Sequence, residues 1–203
     1  MKYHFLRSYC KINLFLDVGR KDKKTKLHNI QSLISIINLY DEIKIKRIYY
    51  PKDIIKFSGI FSKHVKKQDN SVLRSFSLLR NKGYIKDQYN YSVKIKKEIP
   101  AFSGLGGGSS NSASIIKYFL RRKKISKENL NYFSKILGSD LKLFFKSKQI
   151  LQKNLTNIQS IKKKNQLHFV IVYPFFKCST KEIYSKVSSY KVIKKKNNYN
   201  LNS

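Results

Sequence analysis

Four of the chain's eight glycines fall within five positions, Gly104-Leu105-Gly106-Gly107-Gly108, and Ser109 and Ser110 follow them. Lacking Cβ atoms, such a stretch lets backbone N–H groups approach a ligand closely and accepts the positive φ angles of a tight loop. On its N-terminal side Tyr91, Val93 and Ile95 alternate with polar residues as a strand that runs into Glu98-Ile99-Pro100. On its C-terminal side Ile115, Ile116, Phe119 and Leu120 form a helical stripe. The order strand, Gly-rich loop, helix brings the unsatisfied N–H groups of a helix N-terminus beside the glycines, an arrangement suited to binding phosphate. No Gly-Lys-Ser/Thr follows, so the loop is not a Walker A motif, and the third glycine of a GxGxxG fingerprint is replaced by Ser109.

Other elements can be read around this loop. Tyr9 to Val18 alternates as a strand that ends in a turn at Gly19-Arg20-Lys21-Asp22. After a polar loop, Ile30 to Leu39 fits either a helix or a buried strand, and Ile43 to Ile48 alternates as a strand. Val72, Leu73, Phe76, Leu78 and Leu79 have helical spacing, with Gly83 placed to stop the helix. Ser126 reads as the cap of a helix running to Leu137 and terminated by Gly138. Phe169-Val170-Ile171-Val172 reads as a buried strand stopped by Pro174. Past Tyr190 the chain turns to Lys and Asn, a composition that frays.

The 203 residues, 41% hydrophobic, suffice for one good core or two small ones. No apolar run is long enough for a membrane helix, and Lys11, Asn13 and Asp17 interrupt the apolar region a signal peptide needs, so a cytoplasmic location and no membrane partner are expected. Cys10 and Cys178 have neither CxxC nor Cys/His spacing, which points to reduced thiols and no metal site. The formal charge of +33 invites a nucleic-acid reading. Only seven of the 44 basic residues are Arg, the lysine runs are dispersed and no RNA- or DNA-binding motif accompanies them, so no specific nucleic-acid partner is expected.

The segment Ile99-Pro100 through Ala113 resembles the second motif of the GHMP small-molecule kinases. Three further segments match in the family's order: Cys10 to Leu16, Leu27 to Leu33 followed by a turn at Leu39-Tyr40-Asp41-Glu42, and Leu137-Gly138-Ser139-Asp140. Asp69-Asn70, Pro174, Thr180 and Tyr184 align as well, so the resemblance covers about residues 8 to 185. It implies an α+β fold, with the GHMP kinase N-terminal domain (ribosomal protein S5 domain 2-like) over residues 1–160, a shortened α+β second domain over 161–190 and a disordered tail over 191–203.

In this form of the glycine motif the resemblance implies transfer of the ATP γ-phosphoryl group to the 2-hydroxyl of 4-diphosphocytidyl-2-C-methyl-D-erythritol, in non-mevalonate isoprenoid synthesis. By resemblance, Pro100, Ala101, Phe102, Ser103, Gly104, Leu105, Gly106, Gly107, Gly108, Ser109 and Ser110 hold ATP, accompanied by Mg²⁺, with Asn70 on the adenosine side. Asp140 is the implied general base, and Lys11 orients the attacking hydroxyl and favours the ionised carboxylate. Asn13 maps near the reacting hydroxyl, and His28 and Tyr184 map to the cytosine.

Some positions depart from the pattern. Leu27 stands for a Tyr that would stack on the base, Lys142 for a Pro, and Ala101-Phe102-Ser103 for a smaller run, which would narrow the loop's entrance. No third Gly-rich motif follows Tyr190, so an oligomer or a partner is expected to cover the second-domain side. Two readings remain: an active kinase, or a former kinase kept as a nucleotide-binding or interaction protein.

Overall fold

The computed structural model describes residues 2–23, 28–121, 123–161, 166–175, 183 and 185–190. In chain order the elements are β1 (His4–Lys21), β2 (His28–Ile48), β3 (Ile54–Ser58), α1 (Ser71–Asn81), β4 (Asn90–Lys96), α2 (Gly107–Leu120), α3 (Lys127–Leu137), β5 (Gln149–Gln152) and β6 (Ile158–Ser160). Short 3-10 helices lie at Ser62–His64 and Ser139–Phe145. This is the expected α+β architecture.

The β1–β2 pair forms a long antiparallel ribbon, with Tyr9 opposite Tyr40 and Lys11 opposite Ile36 across an irregularity that re-aims the strand. The ambiguous Ile30 to Leu39 stretch is therefore strand. Of its β-branched side chains, Ile34 lies in the smaller core cluster and Ile36 packs against both clusters. The turns expected at Gly19 to Asp22 and at Leu39 to Glu42 are corrected: β1 continues to Lys21, and Asp41 lies inside β2.

The far edge of β2 is shared. β4 pairs with Glu42 to Ile48, and β5 pairs with Ser32 to Ser35. β3 runs parallel to β4, and β6 closes the other end against β5. Between the two pairings the chain leaving β4 enters the sheet edge, and Asp41 receives it. The fully buried Asp41 carboxylate accepts the backbone N–H of Glu98 at 2.8 Å and of Ile99 at 2.9 Å, and its other oxygen accepts from the Lys97 ammonium. Gly59 completes the joint: at φ +90° its Cα packs so close to Lys97 that a Cβ would lie 2.6 Å from the Lys97 carbonyl oxygen.

One core lies between the sheet and the helices, with Ile43, Ile45, Val93 and Ile95 meeting Val72, Phe76 and Leu79 of α1, Ile115, Ile116 and Leu120 of α2, and Phe133 of α3. A smaller cluster joins Ile34, Leu143 and Ile150. The helix caps follow the sequence. The Asn70 side chain accepts from the N–H groups of Val72 and Leu73, and Ser126 accepts from Asn129.

The segment from Phe169 to Val172 is not a buried strand. Among the described residues it pairs with no strand, and Val170 and Val172 are 93% and 84% exposed. Its continuous apolar run signals burial, but the described residues do not cover it. Leu27, Cys178, Thr180, Tyr184 and the tail 191–203 lie outside the described residues. Among the described residues no helix is long and apolar enough to cross a membrane.

Removing the Asp41 carboxylate would leave a buried ammonium and two buried N–H groups unsatisfied. Asp41→Ala is expected to lower stability by about 3–5 kcal/mol in urea unfolding, and adding Lys97→Met should recover part of that loss.

Candidate active site

The glycine loop lies along a cavity of about 1390 Å³ whose wall brings together Lys11, Asn13, His28, Asn70, the segment Pro100 to Ser109 and Asp140. Each comes from a different part of the fold. Lys11 and Asn13 lie two apart on β1 and so share one face of the strand. Asp140 stands at the start of the 3-10 helix after α3, and the loop bridges β4 and α2.

Gly106 starts α2 at φ +73°, in the left-handed region, and no side chain caps the helix. Ser110 is the first residue whose N–H closes a helical bond, to the Gly106 carbonyl at 2.9 Å. The preceding amides, Gly107 to Ser109, stand at the positive end of the helix dipole beside the cavity. A Cβ at Gly106 would lie 3.1 Å from the Phe144 ring and 3.3 Å from Lys11 Cγ, so only glycine fits this joint without displacement.

The loop is tied to the strand that carries Lys11, because the Lys11 N–H donates to the Leu105 carbonyl at 3.0 Å. The Lys11 ammonium donates to Asn13 Oδ1 at 2.9 Å and lies 3.5 Å from Asp140 Oδ2. Lys11 is buried to 8% exposure, whereas the Asp140 side chain stays 34% exposed at the cavity wall. A cation held between a neutral acceptor and an open carboxylate leaves that carboxylate able to take a proton from a bound hydroxyl.

Other side chains are committed elsewhere. Ser110, expected at the phosphates, is 2% exposed, and its hydroxyl donates to the Tyr9 carbonyl while accepting from Ser8. It therefore clips α2 to β1. Ser109 lines the cavity and donates to the Leu137 carbonyl at 3.3 Å. Asn70 also lines the cavity while its Oδ1 caps α1. Phe102, at φ +59°, lines the cavity and is 52% exposed.

His28 is not the exposed loop residue its polar surroundings suggest. It is 7% exposed, its Nδ1 lies 3.0 Å from the Gly19 carbonyl, and its ring stacks on Tyr190 at 5.5 Å. Tyr190 and the Asp41–Lys97 pair were not singled out from the sequence as site residues, because long-range pairing leaves no local pattern. Burial pushes the Cys10 thiol up to about 12, so the thiol beside Lys11 stays protonated. Burial likewise lowers Lys142, with Lys135 and Lys127 adding repulsion. No group of three or more His, Cys, Asp or Glu that could hold a metal ion occurs among the described residues.

The profile of the GHMP kinases N terminal domain matches residues 70–142, the stretch that carries the loop and Asp140. A Pelagibacter ubique protein named 4-diphosphocytidyl-2-C-methyl-D-erythritol kinase is 40% identical over 187 residues, covering 91% of this chain and 65% of the relative. The kinase of the same name from Clostridioides difficile is 30% identical, covering 98% of this chain and 67% of the relative. The chain belongs to this family of GHMP kinases. It spans about two thirds of the length of these curated relatives.

Solved structures agree on the family's fold. A crystal structure of 4-(cytidine 5'-diphospho)-2C-methyl-D-erythritol kinase superposes with TM-score 0.52 at 23% identity, covering 70% of this chain and 48% of the other. The Methanococcus jannaschii mevalonate kinase superposes with TM-score 0.57 at 14% identity, covering 80% and 56%. At these identities the likeness concerns the fold.

Two outcomes follow from the site's packing. Ser110→Ala should cost about 1–2 kcal/mol in urea unfolding because it leaves the buried Ser8 hydroxyl without its acceptor, while Ser109→Ala should stay within about 0.5 kcal/mol. Cys10 should resist iodoacetamide at pH 8.5 in the folded protein and react only on unfolding, as mass spectrometry of the labelled peptide would show.

Proposed function

We propose that this chain transfers the γ-phosphoryl group of ATP to the 2-hydroxyl of 4-diphosphocytidyl-2-C-methyl-D-erythritol. The observation that carries this reading is the placement of Lys11, Asn13 and Asp140 across one cavity from an uncapped helix N-terminus.

The residues present suit a triphosphate. The α2 amides have no capping side chain, and a Cβ at Gly104, whose φ is +74°, would meet nothing within 4 Å. Backbone N–H groups of Gly107, Gly108 and Ser109 would hold phosphate oxygens, with the helix dipole adding attraction. Asn70 lines the adenosine side. ATP supplies the phosphoryl group. A magnesium ion bound with it would draw most of its ligands from phosphate and water, Asp140 being the nearby carboxylate.

The remaining chemistry belongs to the chain's own groups. Asn13 and Lys11 would orient the acceptor hydroxyl, and Asp140 would accept its proton as the oxygen bonds to phosphorus and the bond to the β,γ-bridging oxygen breaks, leaving ADP. Such a reaction depends on positioning and charge stabilisation more than on covalent help. His28 would face the cytosine, with Tyr184 as its partner by alignment. Residues 1–160 would form the ATP-binding and catalytic unit, acting in the cytoplasm.

An ADP-release assay with purified protein, Mg-ATP and the cytidyl substrate tests this. Asp140→Asn is expected to lower kcat by about 10²–10⁴-fold with little change in ATP affinity. Equal rates for wild type and variant would remove Asp140 as the base. ATP binding without turnover in the wild type would favour a former kinase retained for nucleotide binding.

A further inference from the structure

Folding gathers charge that the sequence scatters. The sheet face turned away from the helices carries Phe5, Arg7 and Tyr9 on β1, Tyr40, Glu42, Lys44 and Lys46 on β2, Lys94 and Lys96 on β4, and Lys56 on β3, with Tyr3 joining it just ahead of β1. The register sets them in rows: Phe5, Lys44, Lys94 and Lys56 lie side by side across four strands, and Arg7, Glu42 and Lys96 form the next row. Of the two acidic residues at this face, Glu98 is paired with Lys96 at 2.8 Å, which leaves Glu42 against the other cations.

The aromatic rings stand among those cations. The Lys46 and Lys94 ammonium groups lie 4.8 and 5.4 Å from the Tyr3 ring centre, Lys44 lies 5.2 Å from Phe5, and Arg7 lies 5.1 Å from Tyr40. Phe5 is 67% exposed on a strand whose inward neighbour Leu6 packs on the core, so its exposure follows from the strand's alternation. Among the described residues no helix packs on this face.

Rings spaced across an open sheet and surrounded by ammonium groups match the two demands of an unpaired polynucleotide, stacking for bases and positive charge for phosphates. A duplex hides its base faces and would gain only the charge. An anionic membrane would favour protruding aliphatic side chains, and the aliphatic residues that strand alternation puts on this face, Ile48 and Ile54, are only partly exposed. We propose that the outer face of β1, β2, β4 and β3 binds single-stranded nucleic acid, with Tyr3 and Phe5 stacking on bases and Lys44, Lys46, Lys56 and Lys94 contacting phosphates. This role is separate from the phosphoryl-transfer cavity.

The test uses fluorescence anisotropy of the full chain at 150 mM salt, with 12-mers of uridine and of thymidine as probes, duplex DNA as competitor and a parallel ADP-release assay. The Tyr3→Ala, Phe5→Ala double variant should weaken single-strand binding at least about fivefold with an unchanged salt slope. Lys44→Gln with Lys94→Gln should lower that slope by about 1.4, whereas Lys127→Gln with Lys135→Gln on α3 should change affinity little. ADP release should be unchanged throughout, and thermal unfolding would confirm that each variant folds. Equal losses for the α3 and sheet-face lysine pairs, undiminished binding after removal of both rings, or tighter binding to phosphatidylserine vesicles or duplex than to the 12-mers would overturn the proposal. Comparing the uridine and thymidine arms distinguishes an RNA from a DNA ligand.

Discussion

The Asp41 carboxylate holds the molecule's two halves in register. β2 is longer than either strand on its far edge, and the chain must leave β4 there without exposing backbone groups to an apolar interior. A single buried carboxylate serves two amides and an ammonium at that point. The ion pair alone would be weak support, since desolvating both partners offsets much of their attraction. Its value lies in direction: the two accepted N–H groups fix where Glu98 and Ile99 leave the sheet, and hence where the glycines begin.

From there the loop is fastened at successive points. The Lys11 N–H takes the Leu105 carbonyl, Gly106 fits between Phe144 and the Lys11 stem, and Ser110 clips the first turn of α2 to β1. The side chains facing the cavity are thus attached to the same strand and helix that anchor the loop. That suits chemistry in which placement supplies most of the rate. The helix start is left polar and uncapped, whereas α1 and α3 are capped by Asn70 and Ser126.

Much of this was legible in the sequence because it is local. The strand, loop and helix order around Gly104 to Gly108, the cap at Ser126 and the stop at Gly138 are written within a few residues of where they act. The Lys11, Asn13 and Asp140 grouping was legible only through family resemblance, since nothing within the chain's pattern links residues over a hundred positions apart. The role of Asp41 was hidden because its partners lie 56 to 58 residues away, and a Leu-Tyr-Asp stretch alone reads as a turn. Phe169 to Val172 misled for a related reason: an unbroken apolar run reports a segment suited to burial and does not say what buries it.

The Lys11 to Leu105 bond has a further consequence. It joins β1 to the loop between β4 and α2, so the loop's position is set by the same sheet and helix that form the core. Opening the loop breaks a bond to β1. A ligand that grips the glycines is therefore linked to the cooperative unfolding of the whole sheet, and its binding energy is felt far from the cavity.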